Sequence, residues 1–260
     1  MPRFAANLST MFTEVPFLER FAAAADAGFD AVEYLLPYAF SPAEVAAPLE
    51  RHGLTQVLFN LPAGDWGKGE RGLAALPGRE EEFAAGLRTG LAYARATGCA
   101  IVHAMAGIPP AGADPAAVAR VYAENLGRAA DFFAPHDITV VVEPINHRSM
   151  PGFFLHTVAQ AAACIERLGR PNLKLQFDFF HVQMEEGCVA LKFRENFRHV
   201  AHCQLASVPD RHEPDGGELD YGYLFDLVDE IGYAGHIGCE YNPAGTTAAG
   251  LGWFAKSRRA

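Results

Sequence analysis

The chain has 260 residues, half of them hydrophobic and 20% charged, the balance of a globular protein with a sizeable core rather than of a disordered or fibrous chain. Its formal charge of -10 argues against a protein that grips a nucleic-acid backbone, and no apolar run approaches the ~18 residues of a membrane span. Five widely spaced cysteines with no C-x-x-C pair imply neither a disulfide framework nor a zinc cluster, and with no charged leader in MPRFAANLSTMF a cytoplasmic protein with reduced thiols is expected.

Short apolar or β-branched runs then alternate with Ala/Leu/Glu-rich segments of helical spacing, which is the pattern of parallel β/α units. Strands are predicted at 3–8, 31–35, 56–60, 100–106, 138–145, 173–179, 201–206 and 236–241. Helices are predicted at 17–27, 42–52, 80–97, 116–133, 158–168, 221–231 and 246–254, with Gly28, Gly53, Gly98, Gly169 and Gly232 suited to left-handed helix ends. The unit at 183–197 is the least regular, because Gly187 obscures its helix boundary. The connection 61–78, LPAGDWGKGERGLAALPG, is long and rich in Gly and Pro, and it follows strand three where a barrel places an active-site loop. Eight units, a length near the ~250 residues typical of such a fold, and no linker predict a single (β/α)8 TIM barrel over residues 1–260.

In such a barrel the C-terminal strand ends form a crater, so polar residues that finish apolar runs become neighbours. Strands five to eight supply Glu143 in ITVVVEPIN, Asp178 in LKLQFDFFH, Gln204 in VAHCQLAS and Glu240 in HIGCEYNP. Any one of these alone reads as a charge where a strand meets solvent. Three carboxylates crowded together repel strongly unless protons or a cation neutralise them. Oxygen donors without thiolate favour a hard divalent ion, Mg²⁺ first and Mn²⁺ second. Strand alternation turns Cys203 and Cys239 to the opposite, helix-facing side.

RFAANLS, FNLPAGDW, GERG, LPGREEEF, VEPIN, the D-x-x-H of DFFH, DRHEP and GCEYNP together identify a resemblance that runs nearly end to end. The chain resembles the hydroxypyruvate isomerase family of xylose-isomerase-like barrels, including its 2-oxo-tetronate isomerase branch. The resemblance implies that Glu143 and Glu240 are an acid/base pair that also binds metal, with Asp178 and Gln204 completing the shell. Sister epimerases usually carry His where this chain has Gln204. The implied reaction moves a carbonyl between adjacent carbons of a short hydroxy-carbonyl acid through a cis-enediolate, with hydroxypyruvate going to tartronate semialdehyde. The alternatives are 2-oxo-tetronate as substrate, a ketose 3-epimerase, and a barrel that binds a sugar acid without turning it over.

Six further residues are candidates for contact with substrate or for support of the site. His181, three residues after Asp178, can hydrogen-bond a substrate oxygen, and Arg211 in DRHEP offers a planar fork of donors to a carboxylate. Glu70 and Arg71 in the long connection can close over the site, against the plainer reading of solvated loop charges. His103 and Glu33 end strands four and two and are candidates for supporting groups. The expected partner is a small-molecule acid, with no nucleic acid or membrane, and the sequence leaves open whether the chain is a homo-oligomer.

Overall fold

The computed structural model describes residues 2–257. Eight parallel strands close into a barrel in chain order: β1 (Arg3–Asn7), β2 (Ala31–Tyr34), β3 (Thr55–Asn60), β4 (Ile101–His103), β5 (Thr139–Val142), β6 (Leu173–Asp178), β7 (Val200–Leu205) and β8 (His236–Cys239). Pairing of β1 with β8 completes the ring, Arg3 lying against His236 and Ala6 against Cys239. Around it run α1 (Arg20–Asp26), α2 (Pro42–His52), α3 (Glu80–Thr97), α4 (Pro115–Phe133), α5 (Val158–Leu168), α6 (Phe179–Glu185), α7 (Val189–Asn196), α8 (Tyr221–Ile231), α9 (Thr247–Gly250) and α10 (Gly252–Ser257). None of these helices is long and apolar enough to cross a membrane.

Local chemistry sets the helix limits. Ser41 and Glu44 form a reciprocal capping box with Pro42 at the first position of α2, while Thr157 and Asp220 cap α5 and α8 through their side-chain oxygens. The five glycines expected at helix ends all have positive φ, from 60° at Gly169 to 93° at Gly28. Strand alternation decides which side chains reach the crater: Phe177 turns outward onto Phe193 of α7, their ring centroids 5.2 Å apart, so its neighbour Asp178 turns inward.

Several boundaries differ from the sequence expectation. Segment 17–27 begins as a 3-10 turn, Phe17–Glu19, before α1, and segment 246–254 divides at Leu251 into α9 and α10. The irregular unit splits into α6 and α7 where Gly187 and Cys188 take positive φ. Strand four is only three residues long, because after Ala104, whose amide still donates to the Val141 carbonyl at 3.0 Å, Met105 and Ala106 leave the barrel ladder to pair with the long connection. Gly72 bridges Ala106, and the amides of Ala74 and Ala75 donate to the carbonyls of Met105 and Ala106 at 3.3 and 2.7 Å. Connection 61–78 is thus an ordered flap with Leu73, Ala74 and Ala75 buried.

Candidate active site

Glu143 follows β5 directly, Asp178 is the last residue of β6, Gln204 lies in β7 and Glu240 follows β8. All four are buried. Oε1 of Glu143 and Oδ2 of Asp178 have no hydrogen-bond partner, an expensive state for buried carboxylate oxygens. Burial pushes the Glu143 carboxyl well up, and the charges of Glu240 and Asp178 push it further. Burial likewise raises Asp178 to about 6, although Arg211 and the amides of Phe180 and His181 pull the other way. Glu240 is pushed up to about 7 by burial, with Arg211 opposing and the nearby carboxylates adding to it.

The D-x-x-H spacing is explained by the start of α6. Asp178 caps that helix, its Oδ1 accepting from the Phe180 amide at 2.8 Å, and His181 sits in the first turn with Nε2 3.6 Å from Asp178 Oδ2 and 3.8 Å from Glu143 Oε1. The backbone amide of Asn146 donates to His181 Nδ1 at 3.4 Å, and the Asn146 side-chain nitrogen lies 2.6 Å from the same atom. A neutral ring with Nδ1 accepting carries its proton on Nε2, aimed at the carboxylates. Burial, then Arg211 and His103, hold the ring well below its ordinary pKa. Glu143, Asp178 and His181 each offer one ligand atom within 4.8 Å of the others.

Arg211 enters from the loop after β7. Its Nη2 lies 3.0 Å from Glu240 Oε1 and 3.9 Å from Asp178 Oδ2, with the guanidinium 4.9 Å from the centre of the Phe180 ring. Its backbone is left-handed, with φ 56°, and is held by its amide on the Ser207 carbonyl and by the Asn242 amide on its own carbonyl. A non-glycine residue in that region costs about 1–3 kcal/mol, and such strain clusters at functional positions. His103, ending β4, donates from Nδ1 to Asn60 Oδ1 at 3.2 Å and lies 3.6 Å from Glu143 Oε2; its Nε2 has no partner. Burial, with His202 nearby, lowers its pKa to about 3, so the ring is neutral.

Glu70 and Arg71 are not brought to this cluster. Glu70 pairs with Arg79 at 2.7 Å, and Arg71 stacks on Trp66 at 4.0 Å while donating to the Trp66 and Glu70 carbonyls. Both brace the flap from within. Gln204 is held at both ends of its amide, the oxygen accepting from Gln176 at 2.6 Å and the nitrogen donating to Glu33 at 2.7 Å, and it also hydrogen-bonds Glu240. Gln176 and His202 escaped the sequence reading although each precedes an inward-facing residue by two. Period-two alternation was the signal that could have found them. Asn60, which finishes the apolar run of the predicted strand 56–60, carried the strand-end signal that singled out Glu143, whereas Asn146 carried none.

The donors suit a hard cation: two unpartnered carboxylate oxygens, a third carboxylate 3.0 Å from an arginine, and thiols that bond elsewhere, the Cys239 thiol, for instance, donating to the Ile237 carbonyl at 3.9 Å. A family model described as Xylose isomerase-like TIM barrel matches residues 21–257. A 2-oxo-tetronate isomerase of Cupriavidus necator is 53% identical over 254 residues, 98% of each chain. The hydroxypyruvate isomerase of Escherichia coli is 43% identical over 254 residues, again 98% of each. A crystal structure from Brucella melitensis, described as an AP endonuclease of family 2, matches with TM-score 0.97 at 52% identity, covering 98% of this chain and 99% of that one. The chain belongs to the xylose isomerase-like TIM barrel family, in the group of isomerases that holds the 2-oxo-tetronate and hydroxypyruvate enzymes.

Proposed function

We propose that the chain is a divalent-metal-dependent isomerase of a short 2-oxo hydroxy acid. The observation that carries this reading is the pair of buried, unpartnered oxygens on Glu143 and Asp178 beside a third buried carboxylate, Glu240. Glu143, Asp178, Gln204 and Glu240 would hold Mg²⁺ or, second, Mn²⁺. When bound, the ion polarises the substrate carbonyl and favours the anionic form of the adjacent hydroxyl.

Glu143 and Glu240 stand on β5 and β8, three strands apart around the crater, so substrate between them meets a carboxylate on each side. One removes the proton from the hydroxyl-bearing carbon, giving an enediolate, the other returns a proton to the former carbonyl carbon, and the hydroxyl proton passes to the former carbonyl oxygen, so that no proton is gained or lost overall. Glu240, raised to about 7, can take and release a proton near neutral pH. His181 Nε2–H faces the space where a substrate oxygen would lie, the neutral His103 adds a second contact, and Arg211 presents its donors to the substrate carboxylate. Glu70 and Arg71 act on the substrate only through the flap they stiffen.

Among the two acids we place 2-oxo-tetronate ahead of hydroxypyruvate, reversing the order that the sequence motifs suggested, because the tetronate isomerase is 53% identical against 43%. The activity named for the Brucella protein, that of an AP endonuclease, finds less support here: the net charge is -10, and the buried group of Glu143, Asp178 and His181 contains a single histidine. The test is NMR identification of product from each acid in Mg²⁺ buffer made with D₂O. A carbonyl moved to the neighbouring carbon is expected, with turnover of 2-oxo-tetronate at least ~10-fold faster by kcat/KM. An epimer with the carbonyl in place would replace this reading with the epimerase.

A further inference from the structure

We propose that Glu33 is a positioning residue: from the barrel floor its carboxylate takes the Gln204 side-chain N–H and so fixes which end of that amide remains to serve as an oxygen donor. This rests on the metal site proposed above and names the group that prepares its β7 member.

Glu33 is fully buried, in β2, and three donors converge on it. Asn7 of β1 and Gln204 of β7 donate their amide N–H groups to Oε1 at 2.9 and 2.7 Å, and His202 of β7 lies 2.6 Å from Oε2 through Nε2. Oε1 accepts from both amides, so the nitrogen ends of Asn7 and Gln204 face it. The other end of Gln204 is fixed in the same sense, because Gln176 donates to its oxygen at 2.6 Å. The chain from Gln176 through Gln204 to Glu33 therefore runs in one direction.

Packing alone would not ask for this residue. Barrel interiors are usually filled by bulky branched apolar side chains, and a buried carboxylate costs several kcal/mol unless its hydrogen bonds are complete. The neighbouring strand is also shaped around it. Gly238 of β8 faces inward with no side chain, and a Cβ built there would overlap the Glu33 carboxylate. Three strands thus accommodate one acceptor, and its contact toward the site is Gln204.

Two substitutions separate positioning from bulk. Glu33→Gln keeps the shape but sets a donor against donors. Gly238→Ala keeps the charge but displaces the carboxylate. The readouts are the ¹⁵N–¹H signals of the Gln204 side-chain amide, identified by their loss in Gln204→Leu, the Kd for Mn²⁺, and the split of kcat against KM. Both variants are expected to shift the Gln204 signals and speed their solvent exchange at least ~10-fold. Both should weaken Mn²⁺ roughly 10–100-fold, the range for partners that orient metal ligands, and lower kcat more than they change KM. A folded Glu33→Gln protein whose Gln204 signals are unmoved, or whose Mn²⁺ Kd stays within about twofold of the parent on the same scale, overturns the proposal. If Glu33→Gln does not fold, Gly238→Ala decides by the same readouts. A parent protein that binds no Mn²⁺ sinks the metal reading itself, and the Gln204 signals still decide whether Glu33 holds that amide.

Discussion

At the scale of single residues, the site is a set of buried acids whose proton affinities are raised together. Glu143, Asp178 and Glu240 all titrate above their ordinary range, mainly because burial penalises their charged forms. Between about pH 4, where unfolded carboxyls titrate, and about 7, where Glu240 does, these three acids keep protons that the unfolded chain has lost, while His103 and His181, held below their ordinary range, lack protons that the unfolded chain keeps. The two sets oppose each other in the metal-free protein, but a bound cation competes directly with the protons on the acids. Thermal melts of chelator-treated protein, with and without added Mn²⁺, should show the stabilisation by the ion growing as pH rises through the window. A stabilisation that stays flat across it would mean that the three acids are ionised without penalty. The four strand-end residues were legible in the sequence because each ends an apolar run. What the sequence did not show was their allocation of partners, Arg211 to Glu240 and Gln204 to Glu33, which joins residues 29 and 171 positions apart.

At the scale of elements, the strand ends work because the flap and the helix caps fix them. Eight strands and most helix limits could be read from alternation, capping residues and helix-end glycines. The early end of β4 could not, because residues 104–106 keep an apolar pattern while the backbone of Met105 and Ala106 pairs with the flap instead of the barrel. Gly72 makes that pairing possible: its φ is 123°, and a Cβ there would collide with the Met105 backbone, two residues past His103. Gly72→Ala should cost about 1–3 kcal/mol of local strain, lower Tm by a few degrees and expose the flap to limited proteolysis within 61–78. It should also reduce kcat/KM by roughly tenfold, through a shifted His103. A variant as protected and as active as the parent would show that the flap does not brace the strand end. The inward charges of the flap, Glu70 and Arg71, had invited a direct role with substrate; their short ties to Arg79 and Trp66 satisfy them locally, and no spacing rule could have revealed that.

At the scale of the whole molecule, barrel closure gathers residues from 33 to 240 into one crater, which is why a chain with no local metal motif can build a metal site. The net charge of -10 makes the compensation inside that crater more telling, since Arg211 is the cation placed against Glu240 and Asp178. Burial tends to strip its proton, but the surrounding carboxylates outweigh this and hold its pKa above the ordinary value. On the proposed reading, these carboxylates work with a divalent ion to isomerise a short 2-oxo hydroxy acid. The most direct measurement is turnover of 2-oxo-tetronate and hydroxypyruvate by metal-stripped protein, before and after Mg²⁺ or Mn²⁺ is returned, beside Glu143→Gln and Glu240→Gln. Activity should be lost on stripping and restored by either ion, with both variants folded and slowed by about 10²–10⁴-fold. Equal turnover with and without metal, or a Glu240→Gln protein as fast as its parent, would contradict it.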